Sequence, residues 1–109
     1  FTFSDPSRLT CYSNDYGYDK AYEQFLKEFA IKDTLVILIS SSGNSENILN
    51  CARWCDSNNI DTLTLTGFSE TNKLKSMNLD NRLINYWVDS CDYGIVECVH
   101  TIFLHMVVE

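Results

Sequence analysis

A serine-rich segment at residues 40–47 (SSSGNSEN) contains the residue types that most clearly suggest chemistry. Gly43 would let a ligand approach the backbone, and four hydroxyls surround it, those of Ser40, Ser41, Ser42 and Ser45. A helix that begins here would add N–H groups and the positive end of its dipole, which together suit a phosphate group. The alternative is a polar turn with one capping residue, and the four hydroxyls exceed what that turn needs. The segment is not a Walker loop, because no Lys follows the glycine.

A second set of polar residues, Glu97, His100 and His105, interrupts an otherwise apolar segment near the C-terminus. On a helix, Glu97 and His105 would point about 80° apart and lie roughly 12 Å apart along the axis, so they could line one pocket at two depths. His100 would point about 140° away from His105, so the two histidines are not expected to serve one site. Burial of an unpaired carboxylate is costly, which favours a role for Glu97. For each histidine, the alternative is a satisfied core or interface residue.

The cysteines do not form a metal-binding pattern. Cys51 and Cys55 are four residues apart, but Cys55 belongs to an apolar stripe and no second pair with zinc-like spacing follows. The five cysteines are an odd number without regular spacing, and the sequence shows neither an initiator Met nor a signal-peptide pattern. These features favour reduced thiols and a cytoplasmic location.

Composition and charge exclude several classes of function. The 109 residues are 45% hydrophobic and 21% charged, which is the balance of a globular protein. Eight basic and 15 acidic residues give a net charge of −7, and without a basic run we expect no nucleic-acid partner. No apolar run approaches the roughly 20 residues that cross a bilayer, so we expect no membrane association. Neutral donors would have to hold an anionic ligand.

Alternating strand and helix patterns surround these residues. Residues 34–40 (TLVILIS) form a continuous apolar run, which is typical of a parallel strand buried on both faces. Shorter strand patterns lie at 1–3, 62–66 and 82–88, and helical patterns at 19–30, 46–57, 71–77 and 93–108. The order predicts a three-layer α/β sandwich with a mainly parallel sheet, in which ligands bind beyond the carboxyl ends of the strands. The last helix is apolar almost all round, which indicates deep burial or a subunit interface.

The serine-rich segment after TLVILI resembles the signature loop of sugar isomerase (SIS) domains, which bind phosphorylated sugars. Three further pieces occur in the order found in the phosphoheptose isomerases: NDYGY at 14–18, TLTG at 64–67 and YGIVECVHTIFLH at 93–105. The resemblance covers nearly the whole chain, from SDPS at 4–7 to the last helix. It implies a flavodoxin-like parallel α/β sandwich, assembled as a homotetramer with sites at subunit interfaces.

The resemblance also implies roles for individual residues. The hydroxyls of the serine-rich segment would hold the sugar phosphate, at Ser40, Ser41, Ser42 and Ser45. Asp15 of the NDYGY turn would contact the substrate, although that turn taken alone reads as a helix cap. His105 would act as acid or base and, as in some members, ligate zinc. Glu97 stands where many members have Gln, and it would join His105 as a catalytic residue and zinc ligand.

The family's N-terminal half has no counterpart in this sequence. That half carries a Gly-rich loop and a helix with a His and the catalytic Glu, so residues 1–109 are expected to be one SIS domain that corresponds to the C-terminal two-thirds of the family domain.

The expected function is an aldose–ketose isomerase that acts on sedoheptulose 7-phosphate for surface polysaccharide synthesis, with the 109 residues inactive alone. The alternative is a phosphosugar-binding SIS module without catalysis, in a regulatory or protein-interaction role.

Overall fold

The computed structural model of the protein describes residues 21–30 and 34–108. The predicted strand at 1–3, the NDYGY turn with Asp15 and the first two residues of the predicted helix at 19–30 lie outside these ranges. The elements follow the predicted alternation of helices and strands. In chain order they are α1 (Ala21–Phe29), β1 (Leu35–Ile39), α2 (Glu46–Ser57), β2 (Asp61–Thr66), α3 (Lys73–Ser76), β3 (Arg82–Trp87) and α4 (Tyr93–Val108).

The three strands form a parallel sheet in the order β1-β2-β3, which confirms the predicted α/β class. In the register, Leu35 pairs with Asp61 and Ile39 pairs with Leu65. The pairing of β2 with β3 is irregular between Thr62 and Leu63. Each strand is joined to the next by a helix, as parallel pairing requires, so the carboxyl ends of all three strands lie at one edge of the sheet.

Helices cover the two faces of the sheet differently. On one face, Val36 and Leu38 pack into a core with α2, whose Leu49, Ala52 and Cys55 are buried; α1 packs on α2. Burial raises the pKa of the Cys51 and Cys55 thiols to about 12, so both stay protonated in the core.

The opposite face, which we call the α4-side face, carries the side chains of Leu35, Ile37, Ile39, Leu63, Leu65, Ile84 and Tyr86. The ring of Tyr86 stacks on Phe103 of α4, with centroids 4.5 Å apart. However, Leu35 and Ile39 are exposed on β1. The expectation that this strand is buried on both faces is therefore wrong for the described residues; the contacts of α4 seen there are with Thr66 at the end of β2 and with Tyr86 of β3.

The last helix is not deeply buried within the chain. Val96 and His100 are its buried residues among those described, whereas Ile95, Ile102 and Met106 are exposed. Of the two predicted environments for this apolar helix, deep burial is therefore wrong and a subunit interface stays a prediction. No helix within the described ranges is both long enough and apolar enough to cross a membrane.

Candidate functional site

The serine loop, residues 40–45, connects the carboxyl end of β1 to the start of α2. Ser40 extends the strand, since its N–H donates to the carbonyl of Leu65 at 3.0 Å. The chain then turns at Gly43, which has φ +69° and donates its N–H to the Ser40 hydroxyl at 3.0 Å. The Ser42 hydroxyl accepts from the N–H of Asn44 at 3.2 Å. Two of the four serines therefore shape the turn from within.

A second segment, residues 67–74 after β2, holds the serine loop from outside. Leu74 donates its N–H to the Gly43 carbonyl at 2.8 Å, and Lys73 donates its N–H to Oδ1 of Asn44 at 2.9 Å. The Asn72 side chain lies directly against the α-carbon of Gly43, where an added Cβ would overlap Oδ1 of Asn72. Only glycine fits this contact and this backbone conformation together.

Asn72 is itself fixed in place. Its side chain is only 2% exposed, and its Nδ2 donates to the carbonyls of Gly67 and Ser69 at 3.2 and 2.9 Å. Its Oδ1 accepts from the N–H of Lys75 at 2.8 Å, which caps α3. The sequence analysis did not single out Asn72, because its contact with Gly43 joins residues 29 positions apart.

Arg82 anchors the other end of α3 to the sheet. Its guanidinium donates to the carbonyls of Lys75 and Met77 at 3.0 and 2.9 Å, and to the carbonyl of Leu74 at 2.6 Å. Burial lowers the pKa of Arg82 from its ordinary value. The cation is therefore committed to the last carbonyls of the short helix and is not offered to a ligand.

The serine loop leaves several donors available. Ser45 is the N-cap of α2, but its hydroxyl makes no capping bond and instead accepts from the Ser40 hydroxyl at 3.4 Å. The Ser41 hydroxyl and the first-turn N–H groups of Glu46 and Asn47 donate no hydrogen bond to any residue that the structure describes. Hydroxyls and free N–H groups at the start of a twelve-residue helix form an arrangement that binds anions.

His100 joins α4 to the carboxyl end of β2. It is 2% exposed, and its Nε2 lies 2.9 Å from the carbonyl oxygen of Thr66. Since a carbonyl only accepts, Nε2 donates; Nδ1 is buried without a hydrogen-bond partner in the described part of the chain. His100 is therefore a core residue that positions the helix, which is the alternative left open by the sequence.

Glu97 and His105 are both exposed on α4. The argument that Glu97 is a costly buried carboxylate is therefore wrong, because its side chain meets solvent. Glu97 directly follows Val96, whose side chain packs at Gly67, where a Cβ would lie 2.7 Å from Cγ1 of Val96. The helix therefore places Glu97 near the end of β2 and His105 about 12 Å further along its axis.

Comparison with known proteins shows the family to which the chain is related. No protein-family model matches the chain. The sequence is 34% identical over 106 residues to the phosphoheptose isomerase of Aliarcobacter butzleri, an alignment that covers 95% of this chain and 52% of that protein. It is 28% identical over 117 residues to that of Fusobacterium nucleatum, covering 99% of this chain and 53% of the relative. The chain is a phosphoheptose isomerase-like SIS domain.

Solved structures show the same fold. The phosphoheptose isomerase GmhA from Neisseria gonorrhoeae superposes with a TM-score of 0.85 at 24% identity, covering 94% of this chain and 56% of that one. A phosphoheptose isomerase from Francisella tularensis gives a TM-score of 0.84 at 23% identity, covering 94% and 53%. This SIS domain thus spans about half the length of the proteins that it matches.

The resemblance to SIS domains predicts zinc, with Glu97 and His105 as its ligands. Within residues 21–30 and 34–108, no three His, Cys, Asp or Glu side chains come together as a metal site. Glu97 and His105 lie about 12 Å apart along the α4 axis, so a zinc ion held there would need further ligands from outside the described residues.

Proposed function

We propose that this SIS domain belongs to an aldose–ketose isomerase that converts sedoheptulose 7-phosphate into a heptose 7-phosphate, which then serves surface polysaccharide synthesis. The observation that carries the proposal is the serine loop, fixed at the carboxyl end of the parallel sheet with unused hydroxyls and helix N–H groups. The name phosphoheptose isomerase, carried by the curated relatives, supports a phosphorylated sugar as the ligand.

In this proposal the serine loop holds the phosphate. The hydroxyls of Ser41, Ser42 and Ser45 donate to its oxygens, together with the first-turn N–H groups of α2. Ser40 acts at the base of the loop, because its hydroxyl already accepts from Gly43 and donates to Ser45. The phosphate does not change during isomerisation, so the loop would bind substrate and transition state about equally.

The proton transfers would take place at the opposite end of the sugar. A base removes a proton from the carbon next to the carbonyl while an acid protonates the carbonyl oxygen, which gives an enediol. A proton then returns to the former carbonyl carbon as the neighbouring hydroxyl loses its own and becomes the new carbonyl. We assign one of these transfers to His105 and a second acid–base role to Glu97, while Asp15 would contact the sugar. If zinc is bound, it would be held by Glu97 and His105 and would supply Lewis-acid polarisation of the carbonyl.

The proposal includes the setting in which the protein works. A homotetramer in the cytoplasm would bring the family's sites together at subunit interfaces, and the exposed apolar residues of α4 support an assembly of this kind. Free thiols at Cys51 and Cys55 fit a reducing compartment.

Calorimetry with sedoheptulose 7-phosphate tests the loop. Ser42→Ala and Ser45→Ala should each weaken binding by about 1–2 kcal/mol, because a hydrogen bond to a charged group is lost. Ser45→Ala is the cleaner variant, since its hydroxyl makes no capping bond. Ser57→Ala, at the far end of α2, is the matched control and should bind like the unchanged protein. Unchanged affinity in both loop variants would remove the serine loop from the site.

A phosphosugar-binding module without turnover is the second candidate function. It is favoured by the isolation of Glu97 and His105, which meet no third His, Cys, Asp or Glu in the described part of the chain. Binding of sedoheptulose 7-phosphate by the full-length protein, with no aldose product detected by chromatography, would select this candidate over the isomerase.

A further inference from the structure

The serine loop offers only neutral donors, and the charged residues Glu46, Arg53 and Glu70 supply no net positive charge for an anion. Glu46 opens α2 and forms an ion pair with Arg53 at 3.1 Å, so that pair contributes little net charge. Glu70 is exposed in the 67–74 segment that holds the loop. A phosphate monoester carries about −1.5 to −2 charges at pH 7. An anion at this loop would therefore gain from a nearby cation.

Most cationic side chains in the described residues are committed elsewhere. Arg53 is paired with Glu46, and Arg82 donates to the last carbonyls of α3. The Lys75 ammonium lies over the Trp87 ring, 5.4 Å from its centroid. Lys27 is also exposed, but it lies on α1, which packs on α2. Lys73 is exposed beside the serine loop, and its ammonium makes no ion pair or hydrogen bond with any residue that the structure describes.

The backbone of Lys73 is fixed beside the serine loop. Its N–H donates to Oδ1 of Asn44 at 2.9 Å, and the next residue, Leu74, donates to the Gly43 carbonyl at 2.8 Å. On the other flank, the buried Asn72 side chain packs against Gly43. The flexible four-carbon stem of lysine can bring its ammonium to an anion held by the neighbouring hydroxyls.

We infer that Lys73 supplies the counter-charge for a phosphate group bound at the serine loop, an inference that rests on the proposed function. Neither the hydroxyls nor the start of α2 provides a full positive charge. Lys73 provides one, and the hydrogen bond from its backbone N–H to Asn44 holds it beside the loop. Because this contact is made to the phosphate in substrate and transition state alike, Lys73 contributes to binding rather than to the chemical step.

The test compares two variants that change the net charge equally. In the full-length protein at low ionic strength, Lys73→Gln should weaken the binding of sedoheptulose 7-phosphate about fivefold in calorimetry. Lys75→Gln removes the same charge two residues away, from an ammonium placed over Trp87, and should change the affinity less than twofold. Lys73→Arg should restore the affinity. In a turnover assay, Lys73→Gln should raise KM and leave kcat unchanged.

The outcomes separate this inference from the proposed function. Added salt should remove the difference between Lys73→Gln and the unchanged protein, because exposed charges are screened. If Ser42→Ala weakens binding while Lys73→Gln and Lys75→Gln behave alike, the inference is overturned and the serine-loop site stands. If the unchanged protein fails to bind sedoheptulose 7-phosphate, the proposed function and the inference are both overturned.

Discussion

At Gly43 the backbone adopts φ +69° while the Asn72 side chain fills the space that a Cβ would need. We therefore predict that Gly43→Ala destabilises the protein by about 1–2 kcal/mol from the left-handed backbone alone, with a further cost from displacing Asn72. Ligand affinity should fall with it, because the serine loop must shift. Thermal unfolding and calorimetry with sedoheptulose 7-phosphate measure the two effects.

Gly94→Ala is the control for this prediction. Gly94 lies in the first turn of α4, where an added Cβ would come 3.2 Å from Oδ1 of Asp92, an exposed side chain that can adjust. Its stability should change by no more than about 0.5 kcal/mol. If Gly43→Ala were as mild as Gly94→Ala, the serine loop would not depend on the contact with Asn72.

The functional residues that could be predicted from sequence are those whose chemical type by itself indicates a function. Serines beside a glycine predict an anion-binding turn because hydroxyls and an uncrowded backbone are local properties. Asn72 and Lys73 could not be found in this way, because their importance comes from packing against Gly43 and Asn44 across the fold. Asp15 stays a prediction, since it lies outside the described residues.

At the scale of elements, periodicity located the helices and strands well. The bounds of α2 and α4 agree with the predicted 46–57 and 93–108, because long stretches of apolar spacing leave little ambiguity. The burial of elements was harder to predict. A continuous apolar run such as β1 shows that two faces could be covered, but which helix covers each face depends on tertiary packing.

The two histidines of α4 show how one helix can serve two purposes. His100 is buried against the Thr66 carbonyl, whereas His105 is exposed on another face. We predict that His105→Ala in the full-length protein lowers isomerisation by about 10²–10⁴-fold while sedoheptulose 7-phosphate still binds, because an acid–base group acts only as bonds change. Turnover and calorimetry on the same variant measure the two effects.

His100→Ala provides the contrast within the same helix. Loss of its bond to the Thr66 carbonyl should lower the thermal stability, while turnover at a temperature where the variant stays folded should be nearly normal. Equal, small losses of turnover from both histidine variants would contradict the catalytic role of His105 and favour the binding-module candidate.

At the scale of the whole molecule, two exposed apolar surfaces adjoin each other. The α4-side face of the sheet exposes Leu35, Ile39 and Ile84. On α4 itself, Ile102 is 60% exposed and Met106 is 74% exposed. Extended apolar patches of this kind mark interfaces in most proteins, and a second copy of the chain is the occupant that the proposed homotetramer supplies.

We therefore predict that the full-length protein is oligomeric at micromolar concentration and that α4 contributes to the interface. Ile102→Lys and Met106→Lys should each weaken association at least tenfold, because burying one such side chain is worth about 1.5–3 kcal/mol. Light scattering over a dilution series measures the change.

A general charge effect cannot imitate this result, since each added lysine reduces the net charge of −7 and with it the repulsion between copies. Ser57→Lys, exposed at the end of α2, carries the same charge change away from α4 and should leave the oligomer intact. A monomer in the unchanged protein, or equal dissociation by Ser57→Lys, would contradict an interface at α4.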